Sequence, residues 1–252
     1  MDSGLVARLR AAGCVFAEDE AELLLAEFPD ADALEAATVR RVAGEPLEVI
    51  VGWAQFCGLR LTVAPGVFVP RHRSELLVEQ TAALLRPGDV LLDLCCGVGA
   101  IAAAVAAVVP DLEVHVSDLD AAATDCARRN IPGAGITTGD LFDPLPGPLR
   151  GRVDVLVANA PYVPSGELEL MPREAREHER RPALDGGADG LELHRRIAAG
   201  APEWLRPGGA LLMECSARQA KVSRGILESA GFEARVVHED ERDATVLVAL
   251  VR

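Results

Sequence analysis

The chain is poor in aromatic residues and almost without lysine. Only 4% of its 252 residues are aromatic, and Tyr162 is its single tyrosine. Of 25 basic residues one is lysine, Lys221, and the rest are arginine. A choice that uniform reads as codon bias before function. Basic residues are outnumbered by 39 acids, for a net charge of −14. This argues against a broad basic surface that grips nucleic acid through its phosphates, though not against a local patch. No apolar run is long enough to span a bilayer, although half the residues are hydrophobic. Met1-Asp2-Ser3 shows no basic segment leading into an apolar one. No secretory signal is therefore read, and the cytoplasm is the expected compartment. The six cysteines form no Cys-x-x-Cys pair and no His/Cys cluster of zinc spacing. No metal site is expected, and all six are expected to be buried, reduced thiols.

At this length the chain can bury a sizeable core, with one main domain and a small appendage. Three parts are expected: a small helical part over 1–45, a β-hairpin linker over 46–72 and a main domain over 73–252. In the first, Leu5, Val6, Leu9 and then Leu23, Leu24, Leu25 and Phe28 recur at helical spacing. Alternation rich in Val, Ile, Phe and Trp over 47–69, broken at Phe56-Cys57-Gly58, predicts the hairpin. The main domain alternates helices (75–85, 99–108, 121–130, 190–205, 217–230) with strands (89–94, 113–117, 134–138, 153–158, 209–215, 232–238, 244–251). Such alternation implies an α/β fold with a mostly parallel sheet. Five residues, 239–243, separate the last two strands, too few for a parallel crossover, so these should form an antiparallel edge hairpin. That ending fits the class I methyltransferase pattern, a Rossmann-like seven-stranded mixed sheet, rather than the usual nicotinamide-binding one. Residues 163–189 form a long polar connection that reads either as a solvated helical surface or as a lid.

Val90-Leu91-Leu92-Asp93-Leu94-Cys95-Cys96-Gly97-Val98-Gly99 is a buried strand running into a glycine turn before an alanine-rich helix. Glycine permits the tight turn and close approach of a ligand to backbone N–H groups. Gly97, Gly99 and Ala102 also fit G-x-G-x-x-A, so the glycines alone leave S-adenosylmethionine and NAD open. Asp118, at the end of the second strand, can accept both ribose hydroxyls, a role common to both cofactors. Asp140 can accept an adenine amino group while Leu141 packs on the ring. The candidate cofactor residues are Phe68, Arg71, Asp93, Cys95, Cys96, Gly97, Val98, Gly99, Asp118, Leu119, Asp140, Leu141 and Asn159. Phe68 and Arg71, with Pro70, read equally as simple hairpin packing.

The candidate catalytic residues are Asn159, Ala160, Pro161 and Tyr162, a corner that follows the apolar strand 153–158. The Asn159 oxygen and the Ala160 carbonyl can each accept one N–H of a planar NH2 group, and an aromatic ring covers its face. Pro161 disfavours helical geometry at Ala160 and sets its own φ. This corner and the terminal hairpin together favour S-adenosylmethionine over NAD. Neither His72 nor His178 is needed as a base, because the nitrogen can release its proton after transfer.

With these stretches the chain resembles the HemK-type protein-(glutamine-N5) methyltransferases from about residue 44 to the C-terminus. The matching segments are 44–46, 65–71, the glycine loop, 159–162, Ala183–Leu191 and 205–209. The resemblance implies S-adenosylmethionine as methyl donor and S-adenosylhomocysteine as product. It implies a glutamine side-chain amide as acceptor, typically in the Gly-Gly-Gln of a peptide-chain release factor. Four departures stand out: Ala160 for the signature's first proline, His72-Arg73-Ser74-Glu75 for Pro-Glu-Thr-Glu, Arg180 for a proline, and a short helical N-terminal part. They bear on the substrate more than on the reaction. A small metabolite or peptide natural product is the second acceptor, a nucleic-acid base the third. A non-catalytic adaptor and an NAD oxidoreductase are the remaining readings. Neither membrane attachment nor stable nucleic-acid binding is expected.

Overall fold

The computed structural model describes residues 3–251; Met1 and Asp2, on which the reading for a signal partly rests, lie outside the described residues. Four helices come first: α1 (Ser3–Ala11), α2 (Ala17–Glu27), α3 (Ala31–Val42) and α4 (Leu47–Val51). They enclose their own small core of Leu5, Val6, Leu9, Leu24, Ala37 and Ile50. Of the leucines that recur at helical spacing, Leu25 is exposed. Asp30 starts α3 by accepting from the Asp32 and Ala33 N–H groups, satisfying helix-end donors that would otherwise lack partners.

The alternating stretch from 47 divides. Leu47–Val51 is helical and contributes Ile50 to the helical core, and Gly52, at φ 82°, ends the helix. The hairpin is β1 (Trp53–Phe56) with β2 (Leu59–Thr62), paired antiparallel from Trp53–Thr62 to Phe56–Leu59. Cys57 and Gly58 both have positive φ (47° and 77°), as a two-residue turn matching the twist of a hairpin requires. The turn carries Cys57 into solvent, so not every cysteine is buried as expected.

The main domain continues α5 (Glu75–Ala82), β3 (Val90–Leu94), α6 (Ala100–Val108), β4 (Glu113–Asp118), α7 (Ala121–Asn130), β5 (Gly135–Thr138) and β6 (Val153–Ala158). Then follow α8 (Arg173–His178), α9 (Glu192–Trp204), β7 (Leu205–Glu214), α10 (Ala220–Ser229), β8 (Phe232–Glu239) and β9 (Ala244–Val251). Among the described residues the sheet order is β5-β4-β3-β6-β7-β9-β8. The first five strands are parallel, and β9 runs antiparallel to both β7 and β8. β7 begins earlier than its apolar run because Leu205 already pairs with Val153 before the register shifts.

Alternation along the strands builds two cores. Val155 and Val157 of β6 face the layer that holds α5, α6 and α7, while Leu156 and Ala158 face α9 and α10. Chain order reverses beside β3, whose neighbours are β4 and β6, and the crevice outside the carboxyl ends of these strands is where such sheets bind ligands. The hairpin is tied to this crevice by Asn130. Its side chain accepts from Thr62 N–H (2.8 Å) and donates to the carbonyls of Thr62 (3.0 Å) and Val98 (2.9 Å).

Candidate active site

A cavity of about 500 Å³ opens at the carboxyl ends of β3, β4 and β6, within the usual range for small-molecule sites. The glycine loop forms its floor. Cys95, Gly97 and Gly99 have positive φ (55°, 54° and 78°), so the backbone alternates and curves tightly. Cys95 is held in a conformation that non-glycine residues seldom adopt, as happens at ligand sites. A methyl group on Gly97 would meet nothing within 4 Å; the space above it is open to a ligand.

Asp118, at the end of β4, is tied down from both oxygens. Oδ2 accepts from Gly97 N–H and Oδ1 from Asp120 N–H, each at 2.8 Å. Burial raises its pKa, and those N–H groups oppose the rise. Leu141 borders the cavity with φ 46°, and its carbonyl accepts from Ser117 Oγ (3.4 Å). Asp140 also borders it and pairs with Arg196 of α9 at 2.7 Å. Phe68, Cys95, Cys96, Val98 and Leu119 complete this wall. Burial raises both cysteine pKa values, which leaves these thiols as packing groups.

Three expected cofactor residues do not reach the cavity. Arg71 turns to the buried Glu179, which also accepts from Val69 N–H (3.4 Å). Asp93 lies fully buried beneath the loop, accepts from Ala102 N–H (3.3 Å), and is pushed up to about 8 by desolvation. Gly99 caps α6 against α7, where an added methyl would stand 2.7 Å from Ile131.

Asn159, Ala160, Pro161 and Tyr162 all border the cavity, next to the glycine loop. Asn159 Nδ2 donates to Ser74 Oγ at 3.1 Å, which directs the amide oxygen away from Ser74. The Tyr162 hydroxyl donates to Glu214 Oε1 at 3.1 Å, and the Arg73 guanidinium lies 5.9 Å over its ring. Burial and then the Glu214 carboxylate push the phenol pKa up. Gln219 Nε2 donates to the Tyr162 carbonyl (2.8 Å).

The 163–189 segment lies over this site. Val163 bridges Asp185, Gly66 bridges Glu179, and Met171, Arg180 and Leu184 border the cavity. Arg180 also reaches Asp120 at 3.0 Å. His72 is largely exposed, and neither it nor His178 borders the cavity. Arg73 and Ser74 entered the sequence reading only as departures from the family pattern, and Glu214 and Gln219 escaped it. Of these two, Glu214 left a trace, as an acid closing the apolar run Ala210–Met213.

A mixed sheet with an antiparallel end, a glycine loop and an acid at the end of β4 define a class I S-adenosylmethionine-dependent methyltransferase. The family model of the methyltransferase small domain matches residues 58–174. The solved structure of a methyltransferase from Pyrococcus furiosus has the same fold, with a TM-score of 0.60 at 19% identity over 86% of this chain and 98% of that one. The chain is 40% identical over 204 residues to the release factor glutamine methyltransferase of Geobacter sulfurreducens, covering 79% of this chain and 71% of that protein. It is 41% identical over 184 residues to the 4-amino-L-phenylalanine/4-methylamino-L-phenylalanine methyltransferase of Streptomyces pristinaespiralis, covering 69% and 62%. The chain belongs to the release factor glutamine methyltransferase family. S-Adenosylmethionine is its cofactor, and the open, curved glycine loop beside Asp118 fits that molecule. No helix among the described residues is long and apolar enough to cross a membrane.

Proposed function

We propose that this enzyme methylates the side-chain amide nitrogen of a glutamine in a protein, the Gly-Gly-Gln of a peptide-chain release factor in the cytoplasm. The observation that carries this reading is the Asn159 amide, turned by Ser74 beside the glycine loop. Asp118 holds the ribose hydroxyls, Leu141 and Asp140 take the adenine, and the backbone of 95–98 lies along the rest. Bound S-adenosylmethionine supplies a sulfonium methyl group open to in-line displacement. An amide nitrogen is a poor nucleophile because its lone pair is delocalised. The Asn159 oxygen and the Ala160 carbonyl accept its two hydrogens and aim it, and Tyr162 covers the planar group and excludes water. The cofactor would take the carbon–sulfur electron pair back onto sulfur as the nitrogen–carbon bond forms, and the acceptor nitrogen would shed its proton after transfer without a side-chain base. Positioning of this kind supplies several kcal/mol.

A second reading is a small amino-bearing metabolite as acceptor. It is favoured by the likeness to the Streptomyces pristinaespiralis enzyme and by two arginines, Arg73 and Arg180, on the cavity wall at departures from the family pattern. The test is transfer from labelled S-adenosylmethionine to purified release factor and, in parallel, to a metabolite extract, with the product located by mass spectrometry. Label on the Gly-Gly-Gln glutamine, lost in Asn159→Ala, is the expected result. Label confined to small molecules overturns the release-factor assignment.

A further inference from the structure

We propose that Arg196 of α9 is a positioning residue for the cofactor: it holds one oxygen of Asp140 and leaves the other as the acceptor for the adenine amino group. This rests on the reading of Asp140 as the adenine acid in the proposed function.

Asp118 ends β4, Asp140 follows β5, and both border the cavity. They are held in different ways. Each Asp118 oxygen accepts from a backbone N–H of the same wall. Around Asp140 it is the backbone that is fixed. Gly139 N–H donates to the Asp118 carbonyl (2.9 Å), Asp143 N–H to the Asp140 carbonyl (3.0 Å) and Ser117 Oγ to the Leu141 carbonyl (3.4 Å). The last torsion of an aspartate is broad, so a fixed backbone does not by itself decide where the two oxygens point.

Arg196 supplies the missing tie. Its Nη2 donates to Asp140 Oδ2 at 2.7 Å, whereas Oδ1 has no hydrogen-bond partner among the described residues. A carboxylate paired with a guanidinium only accepts. With Oδ2 committed, Oδ1 is left at the cavity wall to accept from an exocyclic amino group. An oxygen at the same ring position would set acceptor against acceptor. The pair is about half-exposed on both sides, so its contribution to stability is small; what it sets is the direction of the carboxylate.

The helix is placed for this. Arg196, Gly200 and Trp204 recur at intervals of four and share one face of α9. That face is docked on the turn that carries Asp140. A methyl group on Gly200 would stand 2.5 Å from the Phe142 ring, so the bare glycine is what admits the ring. Phe142 in turn stacks on Trp204, with centroids 5.9 Å apart and planes 12° from parallel. The turn is thus gripped twice, by the aromatic stack at 142 and by the charged bond at 140. Arg195, next in the chain, is bound to Asp189 and does not compete for Asp140.

The test is calorimetric titration, without acceptor, of S-adenosylhomocysteine and of S-inosylhomocysteine, in which a carbonyl oxygen replaces the adenine amino group. The proteins are the parent, Asp140→Ala, Arg196→Met and the double variant. The parent is expected to prefer the amino compound about tenfold or more, as a site built to hydrogen-bond a group rejects an analogue lacking it. Asp140→Ala is expected to bring the two affinities within about twofold of each other. Arg196→Met keeps an apolar stem without the donor; it is expected to cut the preference about threefold or more, and to cut it no further when Asp140 is already alanine. A general loosening of the fold would weaken both ligands alike and leave the ratio unmoved. A parental ratio in Arg196→Met, with the preference lost in Asp140→Ala, overturns the proposal and leaves Asp140 as the adenine acid. A further fall in the double variant also overturns it, because Arg196 would then act by a route other than Asp140. A ratio that Asp140→Ala leaves unchanged removes the adenine reading, and the proposal with it. If Arg196→Met does not fold, Arg196→Gln decides by the same ratio.

Discussion

Gly186 packs so closely on Pro161 that a methyl group on its Cα would stand 2.7 Å from the Pro161 carbonyl oxygen. Two hydrogen bonds hold the strands of this contact, Gly186 N–H to the Val163 carbonyl (2.9 Å) and Val163 N–H to the Leu184 carbonyl (3.1 Å). Gly186, in the segment that lies over the cavity, thus braces the corner at 159–162. Gly186→Ala is expected to push the corner aside, costing about 1–3 kcal/mol of stability and lowering methyl transfer. Denaturant unfolding and an activity assay of the same preparation check it. A parental midpoint with parental rate would show that the contact relaxes at no cost.

Asn159→Ala removes the oxygen proposed to aim the acceptor while leaving the glycine loop and Asp118 intact. The expected outcome is a fall in kcat of about a hundredfold or more, with cofactor affinity near that of the parent. Calorimetric titration of the cofactor and steady-state kinetics separate the two effects. Near-normal transfer by this variant contradicts the mechanism.

Asp118→Ala removes the proposed acceptor for the ribose hydroxyls and also frees the N–H groups of Gly97 and Asp120. Hydrogen bonds to a charged group contribute about 1.5–3 kcal/mol each, so cofactor affinity is expected to fall by about tenfold or more. Titration of the variant with S-adenosylhomocysteine is the check. Unchanged affinity would remove Asp118 from the cofactor site.

Asp93 is protonated in the folded protein up to about pH 8, whereas in the unfolded chain it ionises near about pH 4. Between these values the unfolded chain has lost the proton and the folded protein has kept it. The contribution of Asp93 to stability is therefore full below about pH 4 and is lost as pH rises toward about 8. Asp93→Asn, which cannot ionise, is expected to be more stable relative to the parent at pH 8 than at pH 5. Urea unfolding of both proteins at the two pH values measures the difference. An equal difference at both pH values counts against a buried, neutral Asp93.

Helices and strands of the main domain were legible along the chain because each buries a face and repeats at its own period. The strand at 153–158 and the helix at 121–130 needed no tertiary information. Leu47–Val51 was read as strand because so short a segment, with four apolar residues and Glu48, fits either period; its place is set by Ile50 entering the helical core. The same limit applies to the site. Gly97, Asp118 and Asn159 announced themselves through their position at strand ends. Arg71, Asp93 and Gly99 have the same local signature, yet Glu179, Ala102 and Ile131 draw them away from the cavity.

The sequence by itself therefore determined the sheet, its antiparallel end, the glycine loop, the corner at 159–162 and the family. These are local matters, settled by period, turn chemistry and spacing within a few residues. Only the tertiary structure decided how the corner is oriented. Ser74 and Glu214 lie far from Asn159 in the chain, and a serine or a glutamate carries no mark of its partner until folding brings them together. The Asn159 amide takes its direction from the Ser74 hydroxyl, which the fold alone brings within 3.1 Å of its nitrogen.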